Sequence, residues 1–459
     1  MFAITTRFAS KIRNTLSNGL LRRALARAIA AMMVAAVIAT VMAGSVGAQQ
    51  YKSHEPKMNI RQAKTLAQDV ANAMRNLAAF QGGGEAAIDR YFGDFFFRQM
   101  TLHKPSQLLH LSKYRETLFK RFLRPSPVVE AQQHLTNIAL RTAKAISRRN
   151  YHPAVRYNAT LIIGMLDQKY SVGGAPPVVL PAGTKDLLEL LEQDKFNDVK
   201  VHPSVKVGAL EGLERHVRFG IDAQDGERVT KAALAVLAQE PSVLDVDLGV
   251  NNWIKCQAAR VLARQFKEGP SNEVQAALTK LIADGEMELE DRCCIVALLE
   301  KMKYTAGAGP DVAAAVVPLG RLTIEVVAEG AEKAREFEQL IVGGPGGGRR
   351  RNFGRRGRGD EGPKLERRQL LARLKSIEKG AGSLSNGLSD EEKQKVQALT
   401  DLLAPVMKRS EDKKSLDLDV AGDVIKLEDT INNMVASWQP AAAPTAVEAA
   451  AAADADFAE

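Results

Sequence analysis

The chain has 459 residues, of which 45% are apolar, 25% charged and 5% aromatic, with 35 glycines, 18 prolines and 3 cysteines. This composition is ordinary for a globular protein of one or several domains, and it excludes collagen, a disulfide-stapled miniprotein and a wholly disordered chain. The formal net charge of +9 is unevenly distributed: residues 1–48 hold six basic and no acidic side chains, residues 49–150 hold 17 basic against 7 acidic, and residues 151–342 hold 21 against 28. The charge is therefore segregated along the chain.

Residues 1–48 have the pattern of an export signal. A cationic segment is followed by an uninterrupted run of small and apolar residues, 28–43, and Val46 and Ala48 place small side chains where signal peptidase requires them. We predict cleavage before Gln49 and a location in the periplasm or cell envelope. The alternative is an uncleaved N-terminal anchor, although the run is shorter than the about 20 residues of a typical membrane span.

Residues 49–150 are predicted to form a basic helical module. A first amphipathic helix is expected from Met58 to Phe80, and residues 88–100 concentrate aromatic side chains that suit a core or, alternatively, a peptide or ligand groove. Basic residues then alternate with aromatic ones, and the candidate contacts for an anionic partner are Lys113, Arg115, Lys120 and Arg121. The competing interpretation is a solvated helix face, or one that packs on the acidic repeat region.

Residues 151–342 contain an internal repeat of about fifty residues. His152-Pro153 and His202-Pro203 open two similar segments, and a third follows 49 residues after the second. Apolar, basic and small residues recur at helical spacing, namely Val155, Arg156 and Ala159, then Val205, Lys206 and Ala209, then Ile254, Lys255 and Ala258. We expect the apolar and small residues on one buried face and the basic residue at its edge. A second amphipathic helix after each first one completes a helical pair.

This pattern resembles HEAT-type repeats, in which an apolar residue is followed by a basic residue, an alanine and a leucine. The resemblance implies an all-α fold in which helical pairs stack into an α-solenoid. The period is longer than the family's usual one, and the loops between the helices account for the excess. A fourth copy at 289–302 is weaker, because Leu289 lacks a basic follower and either Cys293 or Ile295 takes the alanine position.

Residues 343–363 form a Gly- and Arg-rich segment that predicts a flexible linker. It resembles RGG-type RNA-binding segments, but export argues against nucleic acid and favours an anionic envelope polymer or lipid surface, with a plain solvated spacer as the alternative. The candidate contacts are Arg349, Arg350, Arg351, Arg355, Arg356 and Arg358. Residues 364–439 then predict C-terminal amphipathic helices, and residues 440–459 an Ala-rich, acidic, disordered tail.

The sequence contains no recognisable catalytic or metal-binding motif. The seven histidines lack metal-ligand spacing, and His152 and His202 stand directly before proline, where a helix-start role is expected. Cys256, Cys293 and Cys294 lie in apolar helical runs and predict buried thiols without a disulfide framework. No cofactor is expected.

These observations favour an exported, non-enzymatic helical-repeat scaffold that binds a protein partner or another envelope component. One alternative is an envelope enzyme, hydrolase-like, whose site is assembled across repeats and is therefore invisible to motif analysis. Another is a polyanion or nucleic-acid binder that uses the basic N-terminal module and the arginine-rich linker. No membrane-spanning segment is expected once the signal is cleaved.

Overall fold

The structure is a computed structural model that describes residues 50–305, 311–342, 365–412 and 414–438. It is 75% helical with 2% strand, which confirms the predicted all-α class. The predicted signal peptide, the Gly/Arg-rich segment 343–363 and the acidic tail 440–459 lie outside the described residues. Among the described residues, every helix is too short or too polar to cross a membrane.

The N-terminal module is built from short helices that precede one long helix. They are α1 (Ile60–Ala73), α2 (Leu77–Ala79), α3 (Glu85–Tyr91), α4 (Phe97–Thr101), α5 (Pro105–Leu108), α6 (Leu111–Thr117) and α7 (Val129–Arg148), with π-helical turns at Phe80–Gly84, Phe92–Phe96 and Leu118–Leu123. The first predicted helix is divided at Asn76, whose side chain accepts a hydrogen bond from the Ala79 backbone N–H and so begins a new helix.

The aromatic side chains of this module form its core, as expected from the sequence. The Phe92 ring lies 5.1 Å from that of Phe96 and 5.3 Å from that of Phe122, centroid to centroid, in edge-to-face contacts. All three rings are buried. Packing of this kind stabilises a core beyond the apolar area that it removes from water.

The middle of the chain alternates helices with short connections. The helices are α8 (Pro153–Met165), α9 (Pro181–Glu192), α10 (Pro203–Phe219), α11 (Ala223–Leu237), α12 (Pro241–Leu244), α13 (Leu248–Gln265), α14 (Asn272–Ala283), α15 (Leu289–Leu299) and α16 (Val316–Val342). Two small antiparallel pairs, β1 (Asp167–Lys169) with β2 (Val178–Val179) and β3 (Lys195–Phe196) with β4 (Val199–Lys200), lie in the connections on either side of α9. A 3₁₀ turn at Ala313–Ala315 leads into α16.

Corresponding helices of successive units contact one another. Helix α8 contacts α10, α10 contacts α13, and α13 contacts α15; likewise α9 contacts α11, α11 contacts α14, and α14 contacts α16. Small residues permit the close approach, since a Cβ atom at Gly164 would lie 2.5 Å from the Gly212 Cα. The repeated small residues Ala159, Ala209 and Ala258 are all fully buried between these helices.

Two of the three basic residues of the repeat are buried, so the prediction that they lie at the edge of the apolar face is wrong for Arg156 and Lys206. Arg156 and Lys206 are each only 4% exposed. The Arg156 Nε donates to the Ser147 carbonyl at 2.9 Å, and the Lys206 Nζ donates to the Leu191 carbonyl at 3.1 Å. Ser147 and Leu191 each precede the last residue of a helix, where carbonyl groups lack partners within the helix. Each cation therefore caps the C-terminus of the preceding helix.

The same contact identifies the register of the fourth copy. Helix α15 has Glu288 as its N-cap, and Arg292 follows four residues later, just as Arg156 and Lys206 follow His152 and His202. The Arg292 Nε donates to the Ile282 carbonyl, again one residue before a helix end, at 2.8 Å. Ile295, not Cys293, then occupies the position of the alanine seven residues after the N-cap.

The third copy fills the capping position with an amide. Asn251 lies four residues after the N-cap Asp247, and its Nδ2 donates to the Gln239 carbonyl just beyond α11 at 3.3 Å. Lys255, the basic residue of the sequence pattern, is only half-buried because this helix begins one turn earlier.

Helices of the C-terminal region pack onto the end of this array. They are α17 (Arg367–Leu384), α18 (Asp390–Glu411) and α19 (Asp417–Ala436), with a 3₁₀ turn at Ser385–Gly387. Helix α17 contacts α15, and α19 contacts α16. The described residues from Lys52 onward belong to one compact unit, so the C-terminal helices share a continuous core with the repeats.

Loss of the cation at one capping position should destabilise the protein. We expect Lys206→Met, which keeps the aliphatic stem but leaves the Leu191 carbonyl without its charged donor, to lower the free energy of unfolding by about 1–3 kcal/mol. The matched control is Lys255→Met, at the half-buried position of the next copy, with a change of less than about 0.5 kcal/mol. Urea unfolding followed by circular dichroism measures both. Equal losses in the two variants would contradict the capping role.

A second pair of variants tests the packing of α17 on α15. A Cβ atom at Gly380 would lie 2.6 Å from the Val296 carbonyl oxygen, whereas a Cβ atom at Gly382 meets nothing within 4 Å. We expect Gly380→Ala to cost about 1–3 kcal/mol of stability through overpacking, and Gly382→Ala in the same helix to stabilise by about 0.5–1 kcal/mol. The readout is the denaturation midpoint, and a stabilising Gly380→Ala would show that α17 does not pack in this way.

Candidate functional site

A groove of about 530 Å³ lies where the last repeat helices meet the C-terminal region. Its walls come from the C-terminal halves of α10, α13 and α15, from the two residues that follow α15, and from the middle of α17. The polar residues that line it are Glu214, Arg260, Cys294, Glu300, Lys301, Lys375, Ser376 and Lys379, and the apolar ones are Ala297, Leu298 and Ala372. Most of the charged groups along the groove are therefore basic.

The position of α17 decides the shape of the groove. Arg373 of α17 is largely buried, and it donates from Nε to Glu290 at 3.0 Å and from Nη1 to Glu329 at 2.8 Å. Glu290 opens α15 and Glu329 lies on α16, so one guanidinium joins three helices. A planar cation with a fixed fork of donors suits such a site better than a lysine does. This contact holds Lys375 and Lys379, which lie farther along α17, against the repeat helices.

The carboxylates in and around the groove neutralise only part of its positive charge. The Lys379 Nζ lies 3.1 Å from Glu300, Lys375 pairs with Glu411, and Glu214 accepts from Arg264 at 3.3 Å. Lys301 is exposed, but partial desolvation of its ammonium group and the nearby charges of Arg264 and Arg260 lower its pKa. An anion bound beside Lys301 would offset both effects, because it favours the charged ammonium.

Cys294 brings a thiol into the same wall. Its side chain is partly exposed, whereas Cys256 and Cys293 are buried, so the expectation of a buried thiol holds for the latter two alone. The Arg260 Nη2 lies 3.7 Å from the Cys294 Sγ. Its interactions with the neighbouring Cys256 thiol and with Arg260 outweigh burial and lower the pKa of Cys294. The thiolate is the reactive form of cysteine.

The predicted basic contacts of the N-terminal module do not form one surface with this groove. Lys113, Lys120 and Arg121 are exposed; Lys120 pairs with Glu116, and the Arg121 guanidinium lies over the Phe122 ring at 5.3 Å. Arg115 instead donates to the Asn158 side chain of α8, which ties the N-terminal module to the first repeat helix. The candidate arginines Arg349, Arg350, Arg351, Arg355, Arg356 and Arg358 lie outside the described residues.

The repeat-defining residues serve the fold. Val155, Val205 and Ile254 are buried in the core, and the histidines before proline act at helix starts, as predicted. His152 and His202 accept through Nδ1 from the backbone N–H groups of Ala154 and Ser204, each at 3.2 Å. These contacts satisfy donors that the first turn leaves free.

Sequence reasoning missed the groove itself. Arg260, Cys294 and Lys375 come from three helices separated by long stretches of chain, and no short motif connects them. The basic residues on α17 recur at a spacing of four, Lys375 and Lys379, which marks one helix face but does not say what that face meets.

Comparison with known proteins adds no family assignment: no protein family and no curated protein matches the chain. Among the described residues, no cluster of three or more histidine, cysteine or acidic side chains could hold a metal ion.

The thiol in the groove should titrate at a lower pH than a free cysteine. We expect the rate of Cys294 alkylation by iodoacetamide to rise with pH and to reach half of its maximum below the pKa of a free cysteine, because deprotonation creates the nucleophile. Burial raises the pKa of the neighbouring Cys293 thiol to about 12, so it should stay slow to react over the same range. Peptide mass spectrometry after timed quenching separates the two sites when Cys293→Ala is run in parallel. A midpoint near that of free cysteine would contradict the proposed environment of Cys294.

Proposed function

We propose that this protein is an exported, non-catalytic binding protein in which HEAT-like helical pairs stack as an α-solenoid, and that the groove binds an acidic segment of a protein partner. The observation that carries the proposal is the open groove in which Lys301 and Arg260 lie close together and whose other cations are Lys375 and Lys379.

The stacking of helical pairs is supported by the order of helix contacts. First helices contact first helices and second helices contact second helices through successive units. The first helices of the second, third and fourth units are α10, α13 and α15. Each of these three helices has a buried basic or amide side chain near its start that bonds to a carbonyl group at the end of the preceding unit. Repetition of one unit against the next is what distinguishes a solenoid from a bundle.

The choice of an acidic segment rests on size and charge. A volume of about 530 Å³ is typical of sites that hold a few side chains or a small ligand. Separate cations on α13, just beyond α15 and on α17 suit carboxylates spaced along a peptide better than a single compact anion. Ala297, Leu298 and Ala372 offer apolar contact to the aliphatic parts of such a segment.

Export belongs to the proposal on the strength of the N-terminal pattern, in which a cationic segment, an apolar run and small residues at 46 and 48 follow one another. The partner is accordingly expected among proteins of the cell envelope or periplasm.

Binding to a defined anionic peptide tests the site. We expect a fluorescein-labelled, glutamate-rich peptide to bind the full chain, and Lys301→Gln to weaken its affinity about fivefold, or ~1 kcal/mol. Lys231→Gln, which removes an exposed lysine of α11 far along the array, is the matched control and should leave the affinity unchanged. Fluorescence anisotropy at low and moderate salt measures both.

Heparin serves as the competing probe in the same titration. The protein could instead bind heparin in preference to the peptide, with an affinity that falls steeply with salt and is unaffected by Lys301→Gln. That result would overturn the groove as the binding site and favour polyanion binding through the basic N-terminal module or the arginine-rich segment.

A further inference from the structure

Two cysteines lie on α13 and α15, one on each side of the contact between these helices. Cys256 and Arg260 lie one turn apart on α13, and Asp291 and Cys294 lie one turn apart on α15. The contacts are ordered along the helices: the Cys256 Sγ lies 3.7 Å from the Asp291 carbonyl oxygen, and the Arg260 Nη2 lies 3.7 Å from the Cys294 Sγ. Cys256 therefore packs against the turn of α15 that runs from Asp291 to Cys294.

The two cysteines differ in access. Cys294 lines the groove and is reached from solvent, while Cys256 is buried behind it. Arg260 supplies a positive charge beside Cys294. A neighbouring positive charge favours formation of the thiolate, which is the form that reacts with oxidants. Cys293, the residue before Cys294 on α15, is buried on another side of the helix.

We propose that Cys294 and Cys256 form a peroxide-sensitive thiol pair, in which Cys294 is the site of oxidation and Cys256 is the resolving cysteine. The inference does not depend on the proposed binding partner. It assigns a chemical reactivity to one wall of the groove.

The reaction takes place in two steps. The Cys294 thiolate attacks one oxygen of a hydroperoxide, the O–O bond breaks, and Cys294 becomes a sulfenic acid while the peroxide is reduced to an alcohol or water. The Cys256 sulfur then attacks the sulfenic sulfur, an S–S bond forms, and hydroxide leaves with the proton of the Cys256 thiol as water. Two electrons pass from the thiol pair to the peroxide, and no other co-reactant is needed.

The disulfide would change the groove in two ways. It covalently links α13 to α15, which already contact each other. It also removes the negative charge of the Cys294 thiolate from beside Arg260, so the oxidised groove is more positive than the reduced one.

Peptide mapping of the full chain tests the proposal. Trypsin cleaves after Lys255 and Arg260 and after Arg292 and Lys301, which gives peptides 256–260 and 293–301. After treatment with hydrogen peroxide and blocking of free thiols, we expect these two peptides to appear joined by a disulfide that a reductant releases. The Cys293→Ala variant should form the same linked pair, which assigns the bond to Cys294.

The remaining variants separate the two roles. Cys294→Ser should abolish the linked peptides, whereas Cys256→Ser should leave a sulfenic acid on Cys294 that dimedone traps. Circular dichroism verifies that each variant keeps its helical content. The proposal would be overturned by a disulfide between Cys293 and Cys294, or by a linked pair that disappears in Cys293→Ala. It would also be overturned if peroxide leaves Cys294 reduced, or oxidises it to a sulfinic acid while Cys256 stays free.

Discussion

The structure depends on cations that are buried at the starts of helices and bonded to the carbonyl ends of the helices before them. Burying a charge is costly unless hydrogen bonds replace its water. In this protein the hydrogen bonds lost to water are replaced by a bond to a carbonyl group at the C-terminus of a neighbouring helix. That end of the helix also carries the negative end of the helix dipole. Arg156, Lys206 and Arg292 all make this contact four residues into their helices. The bond fixes both the distance and the register between consecutive helices.

Arg292 carries the same principle to the end of the array. It caps α14 through Ile282 and also pairs with Glu325 of α16. Next to it, Arg373 of α17 bridges Glu290 and Glu329. The last repeat helices and the C-terminal helices are thus joined by guanidinium groups, whose planar forks can serve two partners at once. Gly380 then allows α17 to approach the Val296 backbone.

The groove is a consequence of this joint. Helix α17 closes one side of a surface that α13 and α15 would otherwise leave open, and it brings Lys375 and Lys379 to face Arg260 and Lys301. The same positive charge on which the proposed acidic partner depends also favours the Cys294 thiolate, so the proposed recognition and the proposed thiol chemistry share one cause.

The sequence by itself was sufficient for the all-α class, the repeat of about fifty residues, the aromatic core and the helix-start roles of His152 and His202, because these follow from periodicity and from local backbone chemistry. It was insufficient for the placement of the repeat's basic residues, since a cation on the border of an apolar face is buried only if a neighbouring helix end offers it carbonyl groups. The register of the fourth copy was undecided for a similar reason: Arg292 is recognised as the capping residue only once α14 ends beside it. The groove was decided entirely by tertiary structure, because its residues come from helices far apart in the chain and meet only through the packing of α17 on α15 and α16.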